Sequence, residues 1–287
     1  MTGPLFHYCS TQVFQSIIET RTIRLSSMRL SNDAMEGRWS LDMFRKLCVE
    51  KAMHPFHMNL LFSFLDDMPA LLDGLAFCFS AHGDMLSQWR GYADDGFGFS
   101  IGFSKAKLDV WKKAVATPER GITLLPVSYS MDHNRKHLEE KYSEIYEKLK
   151  MLPVPSLYAP IETAPRYNFD TDPGSNYAVW NEAVAIAEKL AGTLYFFKNP
   201  AFSEEAEWRF LTHLAIKRGD KFEVHATHAA LKPFLPFPLA DAGADVDLIE
   251  QVILGPKNTT PIPIVEAFLT QKGFKNICVT PSTATYR

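Results

Sequence analysis

The sequence predicts an α+β fold, a single domain over residues 1–287 with a helical insertion at about 132–197. Three observations lead there. Short β-like motifs (LFHY, TIRLSS, LAFCFS, FGFSIGF, EWRFLTHLAI, LIEQVILG, NICVT) are spread over both ends of the chain. Helical periodicity is concentrated between them, and the order is not a regular strand–helix alternation, so the strands are segregated as in α+β architectures. The composition, 46% hydrophobic with 22% charged residues, is that of a globular chain, which excludes disorder and collagen-like or coiled-coil repeats.

Taken in order, Leu5 to Tyr8 reads as a strand and Val13, Phe14, Ile17 and Ile18 as one face of a helix. In TIRLSS, Ile23 and Leu25 alternate with polar neighbours, as in a half-buried strand. SNDAMEG is a loop by its turn formers. Residues 39 to 72 carry Trp39, Met43, Leu47, Leu60, Leu61 and Phe64 at helical spacing, read as two helices with Pro55 and Pro69 as breaks. LAFCFS is a buried strand, MLSQWR a short helix, YADDG a turn and FGFSIGF a strand. GITLLPVSYS is edge-like, because Pro126 cannot donate to a ladder. Residues 132–151 form a charged helix, a Pro-containing stretch runs to Pro173, and a second helix spans about Asn176 to Phe197. After EWRFLTHLAI and KFEVHA come a Pro-rich loop through Pro238, the strand LIEQVILG, a helix from about Pro263 to Gly273 and the strand NICVT.

The 30 Lys+Arg against 33 Asp+Glu leave a formal charge of −3, which argues against a protein that coats nucleic acid with its whole surface and leaves room for a local basic pocket. MTGPLFHYCS has neither a basic region nor an apolar run, and no stretch of about 18 uncharged apolar residues occurs, so the expectation is a soluble, cytoplasmic protein without a membrane partner. Cys9, Cys48, Cys78 and Cys278 form no CxxC pair, and Cys78 reads as a small buried hydrophobe. The P-loop, GxGxxG, GxSxG and HExxH signatures are absent. His54 and His57 have Pro55 between them and no adjacent carboxylate, so no metal is expected.

Three groups can carry chemistry. His7 ends the first strand, where a neutral ring offers one donor and one acceptor to a ribose or carbonyl, although a packed histidine satisfies the pattern equally. In SEEAEWRFL, Glu205 and Glu207 share a face if both are extended. They can be a solvated acidic turn or a working pair, and Arg209 on that same face can hold Glu207 ionised. In DMLSQWRGYADDG, Ser87, Gln88, Arg90 and Tyr92 lie between two strands. A planar Arg beside an aromatic suits a nucleotide phosphate or base, and pairing of Arg90 with Asp94 or Asp95 is the structural alternative.

LFHYCS, TIRLSS, SNDAMEG, FCFSAHGDMLSQWRGYADDGFGFSIGF, EEAEWRF and IEQVILGP in this order resemble a bacterial domain-of-unknown-function family, numbered 2971, over nearly the whole chain. A weaker resemblance is to the ADP-ribosyltransferase fold, in particular its DNA-modifying toxin branch. It implies a split-sheet core, NAD as the consumed cofactor, and a nucleic-acid or protein acceptor in a toxin or phage-defence context. By that resemblance Glu207 and His7 are catalytic, and His7, Tyr8, Ser10, Arg24, Arg90 and Tyr92 bind NAD. Glu205, Gln88 and Arg209 then serve the acceptor. Cleavage of the nicotinamide–ribose bond passes through an oxocarbenium-like centre that one ionised carboxylate stabilises, worth about 3 kcal/mol of barrier or more. A nucleotide-binding module without transfer chemistry, and an interaction scaffold, are the alternatives.

Overall fold

The computed structural model describes residues 3–30, 38–117, 121–152, 154, 175–215, 219–227, 230–239 and 247–286. The SNDAMEG loop and nearly all of the stretch ending at Pro173 lie outside them.

The chain opens with β1 (Leu5–Cys9), α1 (Thr11–Thr20) and β2 (Thr22–Ser27). Helix α1 starts at Ser10, whose Oγ accepts from the Val13 amide at 3.3 Å, and buries Phe14, Ile17 and Ile18. Helices α2 (Arg38–Glu50) and α3 (Pro55–Leu71) follow. Pro55 is the first residue of α3, where its missing N–H costs nothing. The helix runs on past Pro69, which is therefore not a break. Next come β3 (Asp73–Ser80), α4 (Leu86–Tyr92), β4 (Phe99–Phe103), α5 (Lys105–Val115) and β5 (Thr123–Pro126). Helix α5 was not among the expected elements. The insertion supplies α6 (Met131–Leu149) and α7 (Ser175–Leu194), and the chain closes with β6 (Glu207–Leu214), β7 (Glu223–Ala226), β8 (Leu231–Pro238), β9 (Ile249–Leu254), α8 (Ile262–Gln271) and β10 (Cys278–Pro281).

All ten strands join one open, mixed sheet. The pairs are antiparallel except β9 with β10, which α8 connects as a crossover. The segment expected as a Pro-rich loop is the strand β8. Pro233 lies where β8 pairs β7, whereas Pro236 and Pro238 lie where it pairs β2, and the two stretches overlap only at Phe234. Each proline therefore sits where one edge is open, so its lack of a donor breaks no ladder bond.

Strand β3 is the branch point. β6 pairs with it from Asp73 to Ser80, occupying one edge throughout. Its other edge is divided: β2 bonds at Leu75 and Ala76, and β1 only at Ser80. Beyond β1 lie β4, β9 and β10; beyond β2 lie β8 and β7. The sheet thus forks at Phe77, Cys78 and Phe79, and α1 ties the two arms together.

The main core lies on one face, where Phe77, Phe79, Phe103, Phe210, Ile23 and Leu25 pack with α1, α5 and α8. Helices α2, α3, α6 and α7 form a second cluster through Phe44, Leu61, Leu138, Ile145 and Leu190. Tyr195 and Phe196, just past α7, pack on Ala76 and Leu211 of the sheet in a further cluster. Gly74 makes this approach possible, since a Cβ there would lie 2.6 Å from the Tyr195 ring.

Candidate functional site: a cleft in the fork of the sheet

The fork opens into a cleft of about 530 Å³. Its walls come from β1, α1, β2, β3, α4, β7 and β8, and from the segments carrying Lys198, Glu205 and Glu207.

His7 fills the gap between the arms. Its Nδ1 lies 2.8 Å from the Cys78 carbonyl and its ring stacks on Phe77 with centroids 3.9 Å apart. A carbonyl only accepts, so Nδ1 carries the proton and Nε2 is the ring's acceptor. Burial pushes the His7 pKa down to about 4, against the opposing effect of the Cys78 bond. The ring is neutral at pH 7. Phe77 and Phe79 turn into the main core, and the alternation of the strand puts the partly buried Cys78 on the other face, against the Tyr195–Phe196 cluster and facing the cleft.

Below the fork lies a four-charge cluster. Arg209 donates from Nε to Glu207 Oε1 at 2.7 Å and from its second terminal nitrogen to Oε2 at 2.8 Å. Lys198 Nζ lies 3.2 Å from Glu207 Oε2 and 2.6 Å from Glu205 Oε2. The Tyr92 hydroxyl donates to Glu205 Oε1 at 3.1 Å. Arg209 is fully buried, and it also donates to the Tyr195 carbonyl. Burial alone would raise the Glu207 pKa, but the charges of Arg209 and Lys198 and the bonds from Arg209 hold it well below the ordinary carboxylate range. For Lys198, burial works downward and is outweighed by the two carboxylates, so its pKa is raised. Glu207 and Lys198 are therefore both ionised at pH 7.

The backbone explains how these residues meet. Lys198 directly follows the insertion, and its segment is clamped to the chain that enters the insertion just past β5: Ser128 N–H donates to the Phe196 carbonyl and Lys198 N–H to the Ser128 carbonyl. Val127 N–H in turn donates to the Glu207 carbonyl, and Glu207 N–H to the Tyr129 hydroxyl. Glu205 is not extended. It ends a 3-10 turn (Pro200–Glu205), and Ala206 takes a left-handed φ of 43° before Glu207 opens β6. The two carboxylates therefore converge through Lys198, not through the alternation of a strand.

Of the residues named from the sequence, His7, Tyr8, Arg24, Gln88, Tyr92, Glu205 and Glu207 line the cleft. Three do not. Ser10 caps α1. Arg90 stacks on Tyr286 at 4.5 Å. Arg209 stands behind Glu207. Tyr8 contributes its ring, but its hydroxyl is taken by the His82 carbonyl and the Met85 amide, both at 2.9 Å. Tyr92, 45% exposed, is the free aromatic face. Sequence reasoning missed Lys198, whose only signal is a lone cation ending the aromatic run YFFK seven residues before Glu205. It also missed Lys232 and His225, which no motif marks.

Residues 88–210 match the family described as Protein of unknown function (DUF2971). The match begins at Gln88 and ends at Phe210, less than half of the chain. It takes in Gln88, Tyr92, Lys198, Glu205, Glu207 and Arg209, and leaves out His7 on β1 and Arg24 on β2, one from each arm of the fork. No curated protein and no solved structure matches the chain. Among the described residues no helix is long and apolar enough to cross a membrane, and no group of three or more His, Cys, Asp or Glu could hold a metal ion.

Proposed function

We propose that the cleft binds NAD and that the protein is a cytoplasmic ADP-ribosyltransferase-like enzyme, with a nucleic acid or protein as acceptor. The observation that carries this is the convergence of His7, Tyr92, Glu205 and Glu207, from separate stretches of chain, on one cleft in a forked sheet. In this reading Tyr92 stacks on the nicotinamide and His7 Nε2 accepts from a ribose hydroxyl. The C1′–N bond breaks with its electron pair passing to the nicotinamide nitrogen, which loses its positive charge. Glu207 stabilises the oxocarbenium-like centre. A nucleophilic O–H or N–H of the acceptor bonds to C1′ and its proton passes to Glu205.

One observation favours a second reading, in which the cleft binds a nucleotide without transferring anything. Glu207 already accepts three hydrogen bonds from Lys198 and Arg209, whose charges balance those of Glu205 and Glu207. A balanced cluster offers less stabilisation to a developing cation than a free carboxylate.

Calorimetry with NAD, paired with chromatography of the products, separates the two. Transfer predicts binding that Tyr92→Ala weakens, and release of nicotinamide. Binding with NAD recovered intact selects the second reading. No binding and no release removes both.

A further inference from the structure

The arm of the fork formed by β2, β8 and β7 carries cations for which neither the four-charge cluster nor the proposed transfer step has a use. Arg24 pairs in register with Pro236, and Lys232 with His225. Because Lys232 and Pro236 are four residues apart on one strand, Arg24, Lys232 and His225 share one face of the arm. All three line the cleft. Arg24 lies 4.8 Å over the Phe234 ring between them.

Lys232 makes no hydrogen bond or ion pair among the described residues, although burial lowers its pKa. Of the groups that act on it, Cys78 and Asp73, neither bonds it, and burial raises the Asp73 pKa. Glu223 also lies on this face by register, but it is exposed and does not line the cleft. A part-buried ammonium without a bonded partner, next to a guanidinium on an aromatic ring and an imidazole, is a site for an anion with several acceptor oxygens.

We propose that this face is a phosphate-binding wall. Lys232 is its principal ligand, assisted by Arg24 and His225, and it holds the phosphate or diphosphate of a ligand whose sugar end reaches Lys198 and Glu205. The proposal deepens the NAD reading, yet it rests on the cations of the arm and stands without the transfer step.

The test is calorimetry of pyrophosphate, ADP-ribose and adenosine with the full chain and its Lys232→Met and Lys232→Arg variants. Pyrophosphate and ADP-ribose are expected to bind the wild type, weakening about tenfold or more in Lys232→Met and much less in Lys232→Arg. Adenosine is expected to respond equally in all three. Lys232→Met is expected to melt close to the wild type, because it breaks no hydrogen bond or ion pair among the described residues, so lost binding is not lost folding. Pyrophosphate that does not bind the wild type, or binds Lys232→Met as tightly, overturns the site. Pyrophosphate has no nicotinamide–ribose bond, so the two readings fail separately. Lys232-dependent binding without NAD turnover keeps the wall and removes transfer; NAD turnover with unchanged pyrophosphate affinity in Lys232→Met does the reverse.

Discussion

Lys198 Nζ lies 2.6 Å from Glu205 Oε2 at the floor of the cleft, and the same nitrogen reaches Glu207 at 3.2 Å. One ammonium therefore joins a 3-10 turn to the first residue of β6. Lys198→Met removes the shared cation and leaves two carboxylates facing each other. The expected cost is about 3 kcal/mol of unfolding free energy, since breaking a buried pair strands its partner. Urea unfolding measures it. Glu205→Gln in the Lys198→Met background is expected to restore part of the loss, and a strictly additive double mutant would show that the pair is not coupled.

Glu207 and Arg209 are two apart on β6 and bonded twice. Glu207→Gln leaves a fully buried guanidinium without its counter-ion, for an expected loss of about 3–5 kcal/mol. Arg209→Met added to Glu207→Gln is expected to recover much of it in thermal melts. Equal melting of wild type and Glu207→Gln would show that the pair contributes nothing.

His7 has a folded-state pKa near 4, below its ordinary value, so the unfolded chain binds the extra proton first. Its contribution to stability is complete above about pH 6.5 and is lost as the pH falls from there towards 4, by at most about 3 kcal/mol. An NMR titration of the imidazole protons reads this directly. A His7 signal that titrates near 6.5 contradicts the buried, Cys78-bonded ring.

Gly91 and Gly98 flank the YADDG turn and carry opposite predictions. A Cβ on Gly98 would lie 2.0 Å from the Cys9 carbonyl oxygen, whereas one on Gly91 meets nothing within 4 Å. Gly98→Ala is expected to cost more than about 2 kcal/mol. Gly91→Ala, inside α4, is expected to gain up to about 1 kcal/mol. Paired melting curves check both.

These glycines also show what the sequence could reveal. The strands LFHY, TIRLSS and LAFCFS were legible because alternation and aromatic runs are local signals, and so was the Glu207–Arg209 face, by its spacing of two. β8 was not, because its prolines are tolerated only through the staggered pairing of β2 and β7, a tertiary fact. Cys78 is partly buried in an apolar cluster, in keeping with its apolar run, but the run does not tell that it also faces the fork. Lys198, Lys232 and His225 reach the cleft through strand register and through the clamp between Ser128 and Phe196, and neither leaves a motif. Arg90, which had every local mark of a phosphate ligand, is held away from the cleft by Tyr286 at the far end of the chain.

The most direct measurement is ¹H NMR of NAD incubated with the purified protein, following free nicotinamide. Glu207→Asp is the companion variant, because it keeps the charge that Arg209 needs while withdrawing it by one methylene. The account predicts nicotinamide release by the wild type, reduced about a hundredfold or more in Glu207→Asp, by the scale of losing one electrostatic stabiliser. NAD that remains intact with the folded wild-type protein, or release unaffected in Glu207→Asp, would contradict it.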